Sequence, residues 1–163
     1  MSAGPGERIE TERLVLRRPG PDDVAVFALA DDEPDEEHAA ALAHWAEHGF
    51  GHWIVEERES GRPVGVFEVH FCWPGVDGIG TDEVELGWWL AEDARGRGYA
   101  TEAGVAAIAD AWRRTRVAWL AAYIRPWNEP SMRVADRLGM RHVKDGKARN
   151  GDPVRIYRVD RPS

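Results

Sequence analysis

The residues best suited to chemistry in this chain sit in one stretch, 92–101, with the sequence EDARGRGYAT. Arg95, Gly96, Arg97 and Gly98 come first, then Tyr99, Ala100 and Thr101. An apolar run over 84–90 precedes the stretch and reads as a strand. The run over 102–114 that follows reads as a helix. Glycines at a strand-to-helix junction let the backbone turn tightly and leave several N–H groups without partners. Those groups, with the positive end of the helix dipole, make a cradle for phosphate. Arg95 and Arg97 add cationic side chains at the same place. A glycine-rich turn carrying solvated arginines is the competing reading, so the rest of the chain must decide between them.

Other reactive residues offer less. Cys72 is the only cysteine, so an intrachain disulfide is excluded and nothing points to an oxidising compartment. As a nucleophile it would need a nearby base, and the sequence signals none; burial as a small residue is the better reading. No Cys/His spacing of the zinc type occurs. The acidic residues Asp31, Asp32, Glu33, Asp35, Glu36 and Glu37 crowd 31–37, either as a solvated face or as an attractor for a cationic substrate. The net charge of -8 argues against general nucleic-acid binding, which depends on Lys and Arg at phosphates. The first residues lack the apolar core of a signal peptide, and no apolar run reaches the roughly 20 residues that span a bilayer. A soluble cytoplasmic protein is therefore expected. Its 163 residues suit one domain, 1–163, with 1–6 flexible.

The elements that must position the loop follow from hydrophobic period and turn residues. Leu14, Val15 and Leu16 read as a strand. Asp22 or Asp23 caps a short helix through Val24, Phe27 and Ala28. Pro34 interrupts, and 38–47 reads as an alanine-rich helix ending at Gly49. Strands are expected over 52–57, 63–72 and 82–90. In the last of these, Val84, Leu86, Trp88 and Leu90 share one face, and Glu83, Glu85, Gly87 and Trp89 the other. The continuous apolar run 117–124 predicts a strand buried on both faces. Asn128, Glu129, Pro130 and Ser131 open a helix that Gly139 closes. Strands over 142–144 and 154–159 flank the Asn150-Gly151 turn. The fold class is therefore mixed α/β: a mostly antiparallel sheet of about seven strands, about four helices, and one parallel βαβ unit around the glycine-rich loop.

These residues resemble a known family. ARGRGYATE fits the acyl-CoA signature [RQ]-x-x-G-x-[GA] of the GNAT N-acetyltransferases, with Arg95, Gly98 and Ala100 at the defined positions. VELGWWLAED is similar to that family's fourth strand, and NEPSMRVADRLGM to its last conserved segment. The opening ETERLVLRRPGPDDVAVFALADD resembles the branch that acetylates N-termini of ribosomal proteins. Three motifs in order, over nearly the whole chain, make the resemblance strong.

The resemblance implies acetyl transfer from acetyl-CoA to a primary amine, a protein N-terminus or a small amine, by direct attack in a ternary complex. Loop N–H groups from Gly96 to Thr101 would hold the pyrophosphate, with Arg95 and Arg97 nearby. The strand edge at Trp88, Trp89 and Leu90 would bind the pantetheine arm, with the thioester between Trp88 and Ile124. A thioester is already activated toward amines, so no metal is expected. Glu85 is the candidate base, directly or through water, with Glu83 second. The competing reading of Glu85 is a carboxylate bonded to a neighbouring strand. Asn128 would help place cofactor or water, or simply cap its helix. Ser131 would sit near the thioester sulfur, or be an ordinary first-turn serine. The tyrosine acid common in this helix is replaced by Ala135. Glu68 and His70 share one strand face and point either toward the acceptor or to solvent; His52 is similar. Arg125 and Trp127 would touch cofactor or rim. The segment 31–37 is shorter and more acidic than the branch usually carries, which leaves the acceptor side open and favours a cationic amine. Dimers are frequent in the family, and the 8 tryptophans allow an apolar interface, so a homodimer stays open.

Two other functions compete. A non-catalytic acyl-CoA sensor would keep 95–101 and lack an effective base. A nucleotide-phosphate binder would use the same loop, but no Lys followed by Ser or Thr closes it as in a P-loop.

Overall fold

The computed structural model describes residues 7–30 and 32–163. Residues 1–6, expected to be flexible, and Asp31 of the acidic segment lie outside the described residues. The strands are β1 (Arg8–Glu10), β2 (Leu14–Arg17), β3 (Trp53–Glu57), β4 (Pro63–Phe71), β5 (Val84–Leu90), β6 (Trp119–Ile124), β7 (Arg141–Lys147) and β8 (Pro153–Asp160). The helices are α1 (Val24–Phe27), α2 (Pro34–His48), α3 (Tyr99–Arg114) and α4 (Glu129–Arg137). The sheet has 8 strands in the order β1-β2-β3-β4-β5-β6-β8-β7. β5 and β6 are parallel, as a βαβ unit requires, and the β6–β8 and β7–β8 pairs are antiparallel.

The strand beyond the expected number is β1. Its three residues carry one apolar side chain, Ile9, so no alternation marks it, yet it pairs antiparallel with β2 from Arg8↔Arg17 to Glu10↔Val15. α2 starts earlier than expected. Pro34 does not interrupt the helix but opens it, where a missing N–H costs nothing. Asp35, Glu36 and Glu37 then form its first turn, where carboxylates suit the positive end of the helix. The acidic run is thus partly a helix start. β7 extends to Lys147 although it is mostly exposed, because β8 supplies its ladder and Lys147 also pairs with Asp77.

By contacts the chain forms two compact units. The first comprises the described residues up to Val69 and Trp88–Arg114. Within it, β2 pairs antiparallel with β3, and β3 with β4. A core of Val26, Phe27, Ala41, Ile54 and Val66, with Trp89 packed on it, joins α1 and α2 to these strands. Asp23 precedes α1, but its carboxylate does not cap the helix. It receives Arg17 through two bonds of 2.7 and 2.8 Å and the Gly20 N–H at 2.6 Å.

The second unit comprises His70–Gly87 and Thr115–Ser163. β6 is buried over Leu120, Ala121 and Ala122, the two-sided burial its apolar run predicts. The core gathers Cys72, Val76, Ile79, Ala121, Ala148, Val154 and Ile156. α4 ends in a doubly bonded cap, Gly139 N–H to Asp136 O at 3.1 Å and Met140 N–H to Ala135 O at 3.0 Å. The Asn150-Gly151 turn is tied by Asp152, whose N–H donates to Asn150 Oδ1 at 3.0 Å. No helix among the described residues is long and apolar enough to cross a membrane.

One glycine ties β4 to the end of β5. A Cβ at Gly65 would collide with the Trp89 carbonyl oxygen and come within 2.9 Å of Leu90 Cδ2. Gly65→Ala must therefore push β5 away or strain β4. We expect a loss of about 1–3 kcal/mol in urea unfolding, the usual range for overpacking. A stability within 0.3 kcal/mol of the parent, about the scatter of exposed substitutions, would show that the strands yield freely there.

Candidate active site

The first unit carries the loop. β5 ends at Leu90, a single 3-10 turn (Glu92–Ala94) follows, and the buried Ala94 anchors it. Gly96 and Gly98 then take φ of 79° and 81°, a left-handed backbone that side-chain-bearing residues rarely adopt. α3 starts at Tyr99, earlier than the sequence pattern suggests, and Glu102 N–H donates to Gly98 O at 3.0 Å. The N–H groups of Tyr99, Ala100 and Thr101 precede that first i→i−4 bond, so the helix itself gives them no acceptor. The loop glycines and both arginines are exposed, leaving this end of α3 open to a ligand.

The side chains of the loop are used largely as struts. Arg95 Nε donates to Leu90 O at 3.1 Å and folds back on the end of β5. Arg97 reaches Glu57 at 3.4 Å, while its carbonyl accepts Arg13 at 2.8 Å. Tyr99 is buried, and its hydroxyl donates to Glu57 at 2.9 Å; what it offers a ligand is its N–H. The hydroxyls of Tyr99 and Ser60 hold the Glu57 carboxyl below its ordinary range. Glu102, in the first turn of α3, receives Thr11 at 2.6 Å and Arg13 through N–H and Nε at 2.8 and 2.7 Å. Burial would raise the Glu102 carboxyl, but these donors outweigh it and lower it. Arg13, Thr11, Glu57 and Glu102 thus fix the loop from outside. Sequence reasoning missed them, because partners 40 to 91 positions apart leave no local signal.

At the end of β5 the tryptophans diverge. Trp89 packs into the core, and its carbonyl points at Gly65 of β4. Ala91 N–H bonds Val64 O at 2.7 Å, on the same side. Strand alternation therefore turns the backbone groups of Trp88 and Leu90 to the opposite edge. The Trp88 ring stacks on Phe67 at 5.7 Å, and its buried Nε1–H meets no acceptor among the described residues.

The second unit carries the carboxylates. Glu85 is 6% exposed and pairs with Ala121 in the β5–β6 ladder. His70 Nε2 lies 3.6 Å from Glu85 Oε2. Cys72 is also buried; burial and the neighbouring Glu85 push its thiol up to about 12, so it stays protonated and is no nucleophile. Glu83, the second candidate base, is occupied: it accepts Trp119 Nε1 and Gly80 N–H, both at 2.6 Å, and Arg158 at 3.4 Å. Asn128 is the N-cap of α4, with Oδ1 accepting Ser131 N–H at 3.3 Å, so the capping reading of Asn128 holds and Ser131 sits in the first turn. Ala135 is fully buried in the same helix. Arg125 leans on Asp152 at 3.5 Å, and Trp127 is 64% exposed.

A third cluster lies in the first unit. His52, 0% exposed, sits between Glu37 of α2 at 3.3 Å and Glu68 of β4 at 3.5 Å. Burial pushes the imidazole down, but the two carboxylates outweigh it and carry it up to about 9. Glu68 thus takes part, with Glu37 and His52, in an ion cluster that joins a helix to the sheet.

Comparisons with known proteins agree with this layout. The family model described as acetyltransferase (GNAT) domain matches residues 13–141. The solved structure of a GnaT-family acetyltransferase from Bordetella pertussis superposes with a TM-score of 0.80 at 26% identity, covering 93% of this chain and 98% of that one. RimL, a ribosomal L7/L12 alpha-N-protein acetyltransferase solved in complex with coenzyme A, shares the fold at a TM-score of 0.74 and 18% identity, covering 94% and 98%. YkkB of Bacillus subtilis (strain 168) is 26% identical over 92% of this chain and 94% of its own length.

The His52 cluster sets a pH dependence. Its folded value of about 9 stands above the ordinary 6.5, so its stabilisation is complete below 6.5 and is lost as pH rises through 9. The gap corresponds to about 3 kcal/mol. We expect unfolding free energy to fall between pH 7 and pH 10, and His52→Gln to remove that slope while lowering stability at pH 6.5. An unchanged slope in the variant would assign the effect elsewhere.

Proposed function

The chain belongs to the GNAT acetyltransferase family, and from that premise we propose that it moves the acetyl group of acetyl-CoA to a primary amine, a protein N-terminus or a small amine. The observation that carries this reading is the loop between β5 and α3: two exposed left-handed glycines precede α3, whose first N–H groups have no acceptor within the helix. In the proposal these N–H groups, from Gly96 to Thr101, bind the pyrophosphate, with Arg95 beside them. The outward backbone edge at Trp88 and Leu90 pairs with the amides of the pantetheine arm, as one strand pairs with another. Coenzyme binding by RimL, which shares the fold, supports this assignment.

The chemistry needs little more than a base and a position. An ammonium group has no lone pair, so it must lose a proton before it can attack. Glu85, buried and next to His70, is the proposed acceptor of that proton. The amine nitrogen then attacks the thioester carbonyl carbon; the C–N bond forms, the C–S bond breaks, and the coenzyme leaves as thiolate. The second N–H proton of the amine passes to that thiolate through Ser131 or water, since Ala135 has no hydroxyl to relay it. Asn128 contributes by holding the first turn of α4, through its bond to the Ser131 N–H.

A thiol-release assay against N-terminal peptides, polyamines and amino compounds tests this reading. Glu85→Gln should bind acetyl-CoA normally and lose about 10²–10⁴-fold in turnover, the usual worth of a positioned base. Gly98→Val should instead lose acetyl-CoA affinity, because a β-branched residue resists φ near 81°. Tight acetyl-CoA binding without thiol release for any amine would favour the sensor reading. Full activity in Glu85→Gln would remove Glu85 from the mechanism.

A further inference from the structure

We propose that Arg13 is the positioning residue of the loop between β5 and α3, and that through it the enzyme favours donors carrying a pyrophosphate over donors carrying the pantetheine arm alone. The inference rests on the acetyl-CoA reading of that loop and deepens it. The loop has little packing of its own. Gly96 and Gly98 are exposed and left-handed, and a Cβ at Gly96 would meet nothing within 4 Å. Glycine has the freest backbone of any residue, so ordering it at the moment of binding would subtract from affinity.

Arg13 supplies the order in advance. Its Nε donates to Glu102 Oε1 at 2.7 Å, and its Nη1 to Arg97 O at 2.8 Å. The guanidinium lies over the Tyr99 ring, 4.8 Å from the centroid. Nη2 stands 3.5 Å from the place a Cβ would take at Gly98. One planar group thus meets residues 97, 98, 99 and 102, on both sides of the junction between loop and helix. Its nitrogens point in fixed directions, so a single orientation satisfies all these contacts, and a lysine cannot reproduce them.

The bond to Arg97 O sets the direction of the next donor. No cis peptide bond occurs among the described residues. In a trans peptide the C=O and the following N–H point opposite ways. With Arg97 O held by Arg13, the Gly98 N–H is turned away from Arg13. The bond to Glu102 holds the first turn of α3, where the N–H groups of Tyr99, Ala100 and Thr101 lie.

The strut is itself anchored. Arg13 N–H donates to Glu102 Oε2 at 2.8 Å, and Thr11 Oγ1 to the same oxygen at 2.6 Å. Arg13 O accepts Arg58 N–H at 2.9 Å, and Thr11 O accepts Arg58 Nη1 at 2.8 Å. The arginines of the loop do not replace it: Arg95 reaches back to Leu90 O, and Arg97 meets Glu57 at 3.4 Å. Since Arg13 is paired with Glu102, it contributes orientation more than net charge. Oriented loop N–H groups reward only the part of a donor that reaches them. S-acetylpantetheine carries the same thioester on the same arm and ends before the phosphates, so it gains nothing from them.

The full chain is compared with Arg13→Lys and Glu102→Gln, with acetyl-CoA and S-acetylpantetheine as donors. Coenzyme A affinity is read by calorimetry and folding by Tm. Lys keeps the charge and loses the fork; Gln leaves Arg13 in place and weakens its anchor. We expect Arg13→Lys to lose about 10-fold in coenzyme A affinity and in kcat/KM for acetyl-CoA, the net worth of one hydrogen bond. Its kcat at saturating acetyl-CoA, and its kcat/KM for S-acetylpantetheine, should stay within twofold of the parent. Glu102→Gln should lose about 3–10-fold in coenzyme A affinity, with the same selectivity between donors. Equal losses for both donors would overturn the proposal, because a general structural defect does not tell one donor from the other. Parent affinity in Arg13→Lys would overturn it too, by showing that charge alone suffices. A parent protein that binds no coenzyme A, or that uses both donors equally well, would sink the acetyl-CoA reading of the loop, and the parent alone decides that.

Discussion

Everything proposed for the coenzyme depends on one constraint, that a strand has two edges and both must find partners. The β5–β6 ladder carries Val84↔Leu120 and Glu85↔Ala121, whereas the β6–β8 ladder runs from Trp119↔Asp160 to Ile124↔Arg155. β5 itself continues to Leu90. On its β4 side Trp89 is pressed against Gly65, and Ala91 bonds Val64. On the other side Leu90 O is occupied by Arg95. The remaining outward groups form a short template of peptide spacing, which is the pattern an amide-bearing arm can complete.

The two glutamates of β5 illustrate how a fold selects between chemically equal groups. Glu83 and Glu85 lie on one face by alternation, and each could serve as a base. Glu83 is consumed by an indole, a backbone N–H and a guanidinium. Glu85 has an imidazole beside it at 3.6 Å and a thiol that keeps its proton. A carboxylate fixed by full donors is poor at taking up a proton, because protonation would break those bonds. The preference for Glu85 therefore rests on what surrounds it.

The legible parts of the sequence were those written in consecutive residues. The glycine pair, the Asn128 cap, the Gly139 stop and the Asn150-Gly151 turn each depend on local backbone chemistry, and each occurs where the pattern put it. The parallel βαβ unit followed from element order alone. What was not legible is long-range or statistically thin. β1 has one apolar residue and exists because β2 offers an edge. α2 begins at Pro34, since a proline that breaks a helix inside it is well placed at its start. The Arg13–Glu102 contact and the burial of His52 between Glu37 and Glu68 join distant segments, and no period or spacing encodes such pairs.

Charge at the loop closes the account. The chain is acidic overall, with a net charge of -8, yet the proposed ligand carries phosphates. In the proposed site, unpaired cationic charge at the loop is limited. Arg97 is paired with Glu57, and Arg13 with Glu102, so much of the local positive charge is already neutralised. These pairs are partly exposed and of modest worth individually. Their effect is geometric: they hold Arg97 O, Tyr99 and the first turn of α3, and so fix the direction of the N–H groups between them. Oriented amides at a helix start keep their partial charges at any pH and at little entropic cost on binding. In the proposed site the arginine side chains therefore serve rigidity first, and the phosphates fall chiefly to the backbone N–H groups.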